Sequence, residues 1–241
     1  MPRDARGFWV RVCIVVFYSV TWLVGRRRFV GLEHVPAEGP GLLVCNHLSH
    51  FDPLYTGVFV HRRGRIPRFL AKASLWKVPV LGRALAGAQQ IPVYRDSVDA
   101  RQSLRAAEQA LDEGKLVLIY PEGTLTHDPA HWPMRARTGI ARLALARDVP
   151  VVPTAHWGTH RINDYRTRLF RPLPRKQVVV RAGEPVDLSA YRGRPVDNVL
   201  LREVTDLVMG RVRDLLGEVR EEAAPAGFYP TGSHRDGKHP S

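Results

Sequence analysis

Short apolar runs and 3.6-residue periodicities alternate along this chain. Residues 41–45 (GLLVC) are an uninterrupted apolar run, the pattern of a strand buried on both faces, and Asp52-Pro53 beyond them reads as an N-cap followed by a first-turn proline. The alternation continues with a strand at 68–72 (RFLAK), a short helix to about Gly87, a strand at 88–94 and a helix over 97–113. A strand at 116–120, a helix at 137–147 and strands at 150–155 and 177–182 follow. In the helix over 97–113, Ala100, Leu104, Ala107 and Leu111 recur at helical spacing and Gly114 marks its end. The longest periodic stretch is 197–222, with Leu200, Leu201, Val204, Val208, Val212 and Leu216 among its apolar face and Arg and Glu opposite, which predicts a packing helix. No internal repeat of fixed period is present. The pattern predicts one α/β domain over 29–222, a mostly parallel mixed sheet flanked by helices, preceded by an apolar N-terminal helix. After Ala223 the periodicity stops and Pro, Gly and polar residues take over, so 223–241 is expected to be a disordered tail.

Sites in α/β sheets sit at strand ends, and two strand ends here carry chemistry. In NHLSHFD (46–52), His47 lies five residues before Asp52 at a strand–helix junction. A tight turn there can bring the side chains together, the imidazole to take a proton from an alcohol and the carboxylate to fix its tautomer and stabilise the imidazolium. The same spacing also suits a strand-end histidine and a helix-capping aspartate that never meet. The second segment is LVLIYPEGT (116–124), an apolar strand that breaks at Pro121 into a Glu-Gly turn able to aim backbone N–H groups at an anion.

Together with QQIPVYR, ending at Arg95, and VPVVP at 149–153, these segments resemble the four ordered blocks of the glycerolipid acyltransferases typified by 1-acylglycerol-3-phosphate (lysophosphatidic acid) acyltransferase. Those blocks are Asn-His-x-x-x-x-Asp, a strand ending in arginine, Phe-Pro-Glu-Gly-Thr and Val-Pro-x-x-Pro, and the resemblance covers residues 29–182. It implies transfer of a fatty acyl chain from a coenzyme A or acyl-carrier-protein thioester to a lysophospholipid hydroxyl, giving phosphatidic acid from 1-acylglycerol-3-phosphate, with no cofactor or metal. His47 would be the base and Asp52 its partner, with Asn46, Arg95, Glu122, Gly123 and Thr124 around the acceptor. Relatives often follow the Glu-Gly-Thr turn with an arginine, where this chain has Leu125. Another lysolipid, such as a lyso-ornithine lipid or a glycolipid, is therefore an alternative acceptor, and a catalytically silent lipid-binding protein is a second alternative that the intact His47 and Asp52 weigh against. Arg135 and Arg137 precede a helix at a place where relatives often carry a lysine, and guanidinium groups bind phosphate bidentately.

Residues 12–24 carry no charge, and Arg26, Arg27 and Arg28 follow. That run is shorter than the ~20 residues a spanning helix needs. With Trp9, Tyr18 and Trp22 as interfacial aromatics, 1–28 is expected to be a membrane-associating helix, peripheral or monotopic, on the cytoplasmic face of the cell membrane. No small-residue cleavage site follows, which argues against a signal peptide. The chain has 36 Lys+Arg against 23 Asp+Glu, a net charge of +13, and will be drawn to polyanions. Its basic clusters lie at 61–68 and at 161–181, where Arg166, Arg168, Arg171, Arg175 and Lys176 surround Leu169, Phe170 and Leu173. That mixture suits an anionic membrane surface, and without a helix-turn-helix, zinc-finger or aromatic RNA-binding signature nucleic acid is set aside as a partner. Acyl carrier protein is a candidate donor partner. Cys13 and Cys45 alone exclude a disulfide framework, and Cys45 reads as a buried strand residue rather than an acylated nucleophile. His47 and His50 lack further ligands at metal spacing. His156 and His160 read as structural residues able to border a pocket, and His127 and His131 as loop residues without a role.

Overall fold

The computed structural model describes residues 7–94 and 97–230. Helix α1 (Phe8–Val24) leads into strand β1 (Gly25–Val30), followed by β2 (Gly41–Cys45), α2 (Asp52–Arg62), β3 (Pro67–Lys72), α3 (Leu81–Gly87) and β4 (Ile91–Val93). Then come α4 (Ser97–Asp112), β5 (Leu116–Ile119), α5 (Gly139–Ala146), β6 (Val151–Trp157), the short β7 (Asn163–Asp164) and β8 (Leu169–Phe170), β9 (Lys176–Ala182) and α6 (Asn198–Arg220). A seven-stranded sheet runs β1-β9-β6-β2-β5-β3-β4. Every neighbouring pair in it is parallel except β6 with β9, so the sheet is the mostly parallel mixed one that the alternation predicts.

The all-apolar β2 lies near the sheet's centre, Leu42 opposite Val117 on one side and Val151 on the other. Successive strand side chains point to opposite faces. Leu42 and Val44 therefore join Val117 and Val151 beneath Ala107 and Leu111 of α4, Ile140 and Leu143 of α5, and Leu200, Val204, Val208 and Val212 of α6. Leu43 and Cys45 face the other way, with Leu118, Val152 and Val180, against Tyr55 and Phe59 of α2 and Val24 of α1. The Asp197 side chain caps α6 by accepting the Leu200 N–H (2.8 Å).

Three features depart from the pattern-based expectation. The sheet begins at Gly25, so Arg26–Arg28, read as the end of a membrane helix, lie in an edge strand where Arg27 pairs with Val178. A charged edge strand has no apolar alternation to reveal it. The tail expected from 223 starts with held residues: Tyr229 donates its N–H to Pro133 and accepts that of Arg135 (2.9 Å), and Phe228 packs on the core; residues 231–241 lie outside the described residues. Strands β7 and β8 form a separate two-stranded ribbon that no sequence signal marked. Among the described residues no helix is long and apolar enough to cross a membrane; α1 has 17 residues.

Candidate active site

β2 ends at Cys45 and the next six residues turn back so that Asp52 opens α2. Its carboxylate does not cap that helix, whose N-cap position is Phe51. Instead Oδ2 accepts the backbone N–H of Leu48 (2.6 Å) and Ser49 (2.9 Å) together with His47 Nδ1 (2.8 Å), while Oδ1 accepts the hydroxyl of Thr159. The loop is thus wrapped around one buried carboxylate. Burial alone would raise the Asp52 carboxyl, but the hydrogen bonds from His47 and Thr159 hold it below the ordinary carboxylate value. Because Asp52 can only accept, His47 Nδ1 carries the hydrogen and Nε2 is left as the basic lone pair.

The His47 ring is fixed on its flat side as well. Tyr120, at the end of β5, stacks on it with centroids 4.1 Å apart and planes at 21°. Thr56 Oγ1 donates to the Asp52 carbonyl (2.9 Å), so it accepts from the Tyr120 hydroxyl (3.2 Å) and from His156 Nε2 (2.8 Å). Burial pushes the Tyr120 phenol well above its ordinary range, which keeps it protonated to donate as this bond requires, and pushes His156 down to about 4, which keeps its imidazole neutral.

Two residues expected near the acceptor brace the scaffold, Glu122 while also bordering a cavity. Asn46 is fully buried; its Nδ2 donates to the His156 carbonyl (3.2 Å) and its Oδ1 accepts the His156 N–H (2.7 Å), joining the end of β2 to β6. Both Glu122 oxygens are occupied by backbone donors, Oε1 by the N–H of His47 (3.0 Å) and Oε2 by that of Met134 (2.9 Å). Burial pushes the Glu122 carboxyl up to about 8 although those two bonds pull it down. It ties the catalytic loop to the turn after β5, and a second tie runs from the Thr126 N–H to the His47 carbonyl (2.8 Å). In that turn Gly123 has φ +74°, a left-handed conformation that favours glycine, and its N–H closes onto the Tyr120 carbonyl (3.0 Å).

A cavity of about 1310 Å³ opens beside the dyad. His47, Tyr120, Gly123, Thr124, Leu125 and Arg137 line it, as do Cys13, Ile14 and Phe17 of α1 and Leu81 and Leu85 of α3. A smaller cavity of about 470 Å³ is bordered by Glu122, Thr124, His127, Arg135, Arg137 and Arg202. Thr124 and Arg137 border both, so the predicted turn and arginines converge where the two meet. Arg95 lies outside the described residues. His156 is buried behind the dyad, and His160 stacks on His131 (4.3 Å). Cys45 is fully buried and burial raises its thiol well above the ordinary value, so it is no thiolate nucleophile. Among the described residues no three His, Cys, Asp or Glu side chains gather as a metal site.

Tyr120, Thr56, Thr159 and Arg202 are the site residues that sequence reasoning missed. Tyr120 carried a signal, since it stands at the aromatic position before Pro-Glu-Gly-Thr. Thr159 carried none, 107 residues from its partner.

The Acyltransferase family matches residues 26–157. The chain is 29% identical over 156 residues to a chloroplastic 1-acyl-sn-glycerol-3-phosphate acyltransferase of Brassica napus, covering 64% of this chain but 42% of that protein. It thus spans about half the length, or less, of that relative and of a similar one from Arabidopsis thaliana (46%). A 1-acyl-sn-glycerol-3-phosphate acyltransferase of Bacillus subtilis is 24% identical over 208 residues, covering 85% of this chain and 96% of its own. The crystal structure of the 1-acyl-sn-glycerophosphate (LPA) acyltransferase PlsC from Thermotoga maritima shares the fold, with a TM-score of 0.66, 23% identity and coverage of 89% of this chain and 81% of that one. With more than half of its 241 residues matched, and the His47–Asp52 pair inside the matched segment, the chain belongs to the Acyltransferase family.

Proposed function

We propose that this protein moves a fatty acyl chain from a coenzyme A or acyl-carrier-protein thioester to the hydroxyl of a lysophospholipid, with 1-acylglycerol-3-phosphate as acceptor and phosphatidic acid as product. The observation that carries this reading is the 2.8 Å bond from His47 Nδ1 to Asp52, which leaves Nε2 as a base on a ring that lines the large cavity. Nε2 takes the acceptor's hydroxyl proton as that oxygen attacks the thioester carbonyl, and Asp52 stabilises the imidazolium. When the tetrahedral intermediate collapses, the C–S bond breaks and the imidazolium returns the proton to the leaving thiolate. The larger, mostly apolar-lined cavity suits the acyl chain. The smaller one, with Arg135, Arg137 and Arg202, suits a phosphate, and holding both beside His47 makes the encounter effectively intramolecular. No step calls for a metal or a bound cofactor. Exposed Phe8, Val15, Trp22 and Leu23 on α1 support attachment to the cytoplasmic face of the cell membrane.

Leu125 favours a second acceptor class, since it places an apolar side chain on the large cavity where relatives often carry an arginine. A panel of lysolipids with and without phosphate, offered with one acyl thioester, ranks the two. The mechanism itself is tested by His47→Ala, which should lower kcat at least ~10²-fold with the circular dichroism spectrum unchanged. A folded His47→Ala protein with nearly full activity refutes it.

A further inference from the structure

The β7–β8 ribbon hydrogen-bonds to no strand of the main sheet. Leu169 and Phe170 in it are 42% and 57% exposed, and Leu173 just beyond is 69% exposed. Apolar residues exposed singly are ordinary, but three within one short segment form a patch. Arg161, Arg166, Arg168 and Arg171 around them are exposed as well. No carboxylate of the described residues forms an ion pair with Arg166, Arg168 or Arg171. The ribbon's own acid, Asp164, accepts the Arg166 backbone N–H (2.9 Å).

This patch is continuous with α1 and with the catalytic loop. Arg175 donates to the Gly25 carbonyl (2.8 Å) and lies 5.2 Å over the exposed Trp22 ring. Ser49 Oγ donates to the Asn163 carbonyl (2.9 Å), and Phe170 stacks at 5.9 Å on Phe51, the neighbour of Asp52. Tyr165, in the ribbon's turn, lines the large cavity and donates to the Thr126 carbonyl (3.0 Å).

We infer that the β7–β8 ribbon is a membrane-inserting lip: Phe170 and Leu173 enter the apolar layer of an anionic bilayer, the surrounding arginines take lipid phosphates, and the cavity beside His47 opens at the lipid surface. The inference rests on surface chemistry and not on the acyl-transfer reading. A bilayer fits better than an acidic protein because it offers anionic phosphates directly above a layer that accepts apolar side chains. An acidic partner would use the arginines and leave Phe170 and Leu173 in water.

The test is vesicle partitioning of the full chain without substrates, on vesicles of equal parts phosphatidylglycerol and phosphatidylcholine and on phosphatidylcholine alone. The double variant Phe170→Ser/Leu173→Ser should partition about tenfold more weakly onto the mixed vesicles, the loss expected when apolar area no longer enters the bilayer. Arg166→Ser/Arg168→Ser should weaken binding to the mixed vesicles only. Val196→Ser/Val199→Ser, which removes two exposed apolar residues before and at the start of α6, should change nothing. All six side chains of the three serine pairs are exposed, so the fold is retained, and circular dichroism checks it. Partitioning of Phe170→Ser/Leu173→Ser within about twofold of the parent, or an equal loss in the Val196/Val199 control, overturns the inference. So does unchanged partitioning combined with lost binding of acyl carrier protein itself, which would assign the ribbon to an acidic protein. Activity is not read, so failure of the acyl-transfer mechanism leaves this measurement standing.

Discussion

Glu122 shows how much a single side chain can hold in place. Its two oxygens satisfy backbone donors from two segments, His47 and Met134, inside the protein. Replacing it with alanine leaves both N–H groups without that partner, at a cost of about 1–3 kcal/mol each. The carboxyl also makes stability depend on pH in a direction unusual for an acid. Its folded-state value, about 8, lies above the ordinary 4.5, so the fold prefers the protonated form. The contribution is complete below 4.5 and lost as pH rises through about 8. His156 works in the opposite sense, since its value near 4 lies below the ordinary 6.5 and stability is lost as pH falls between them. Comparing the protein with Glu122→Gln cancels the histidine. The urea midpoint of the parent, relative to that variant, should fall steadily between pH 4.5 and about 8, and a difference that is flat with pH would show that the carboxyl keeps its ordinary value.

Elements whose burial repeats in the sequence were legible, and those defined by one partner were not. The GLLVC run became β2 because both of its faces are covered, and the apolar stripe of α6 lies on the core as its periodicity predicts. β1 is three arginines on an edge, and β7 and β8 have two residues each, too few for any period to register. Contact between α1 and α2 was equally invisible, because it depends on a glycine. A Cβ at Gly57 would lie 2.7 Å from Phe17 Cδ2, and both residues line the large cavity. Gly57→Val should push Phe17 aside and shorten the space available to an acyl chain. The ratio of kcat/KM for dodecanoyl over palmitoyl thioester should rise about tenfold, whereas an unchanged ratio would place the acyl chain elsewhere.

Across the whole molecule, the site was legible where its residues are close in sequence and hidden where the fold supplies them from afar. His47 and Asp52 could be read from five residues of spacing, but the orientation of the ring depends on Thr56 one turn further along α2 and on Tyr120, His156 and Thr159, which come from two distant segments. Asn46 and Glu122 were assigned to the acceptor because they lie in the right motifs, and the same proximity lets them brace the loop. α1 combines two jobs that the pattern suggested were separate: Val10, Thr21 and Val24 are buried in the domain while Phe8, Trp22 and Leu23 face out. Removing residues 1–24 and keeping Gly25 preserves β1, a safer cut than one after Arg28. The shortened protein should detach from neutral vesicles and bind anionic ones in a salt-sensitive way, while the full chain stays attached at high salt because apolar burial does not depend on ionic strength. Flotation of both proteins at low and high salt checks this, and identical behaviour would make α1 an ordinary domain helix.

The stacked pair of His47 and Tyr120 also has a spectroscopic consequence. An aromatic ring 4.1 Å above an imidazole places the imidazole's carbon-bound protons in the shielding cone of its ring current. The His47 signals in a proton magnetic resonance spectrum are thereby displaced upfield, away from the crowd produced by ten histidines. Tyr120→Leu would return them to that crowd and so assign them. The base thus carries its own reporter, and its protonation can be followed directly in the resting protein, one residue at a time, without waiting for turnover.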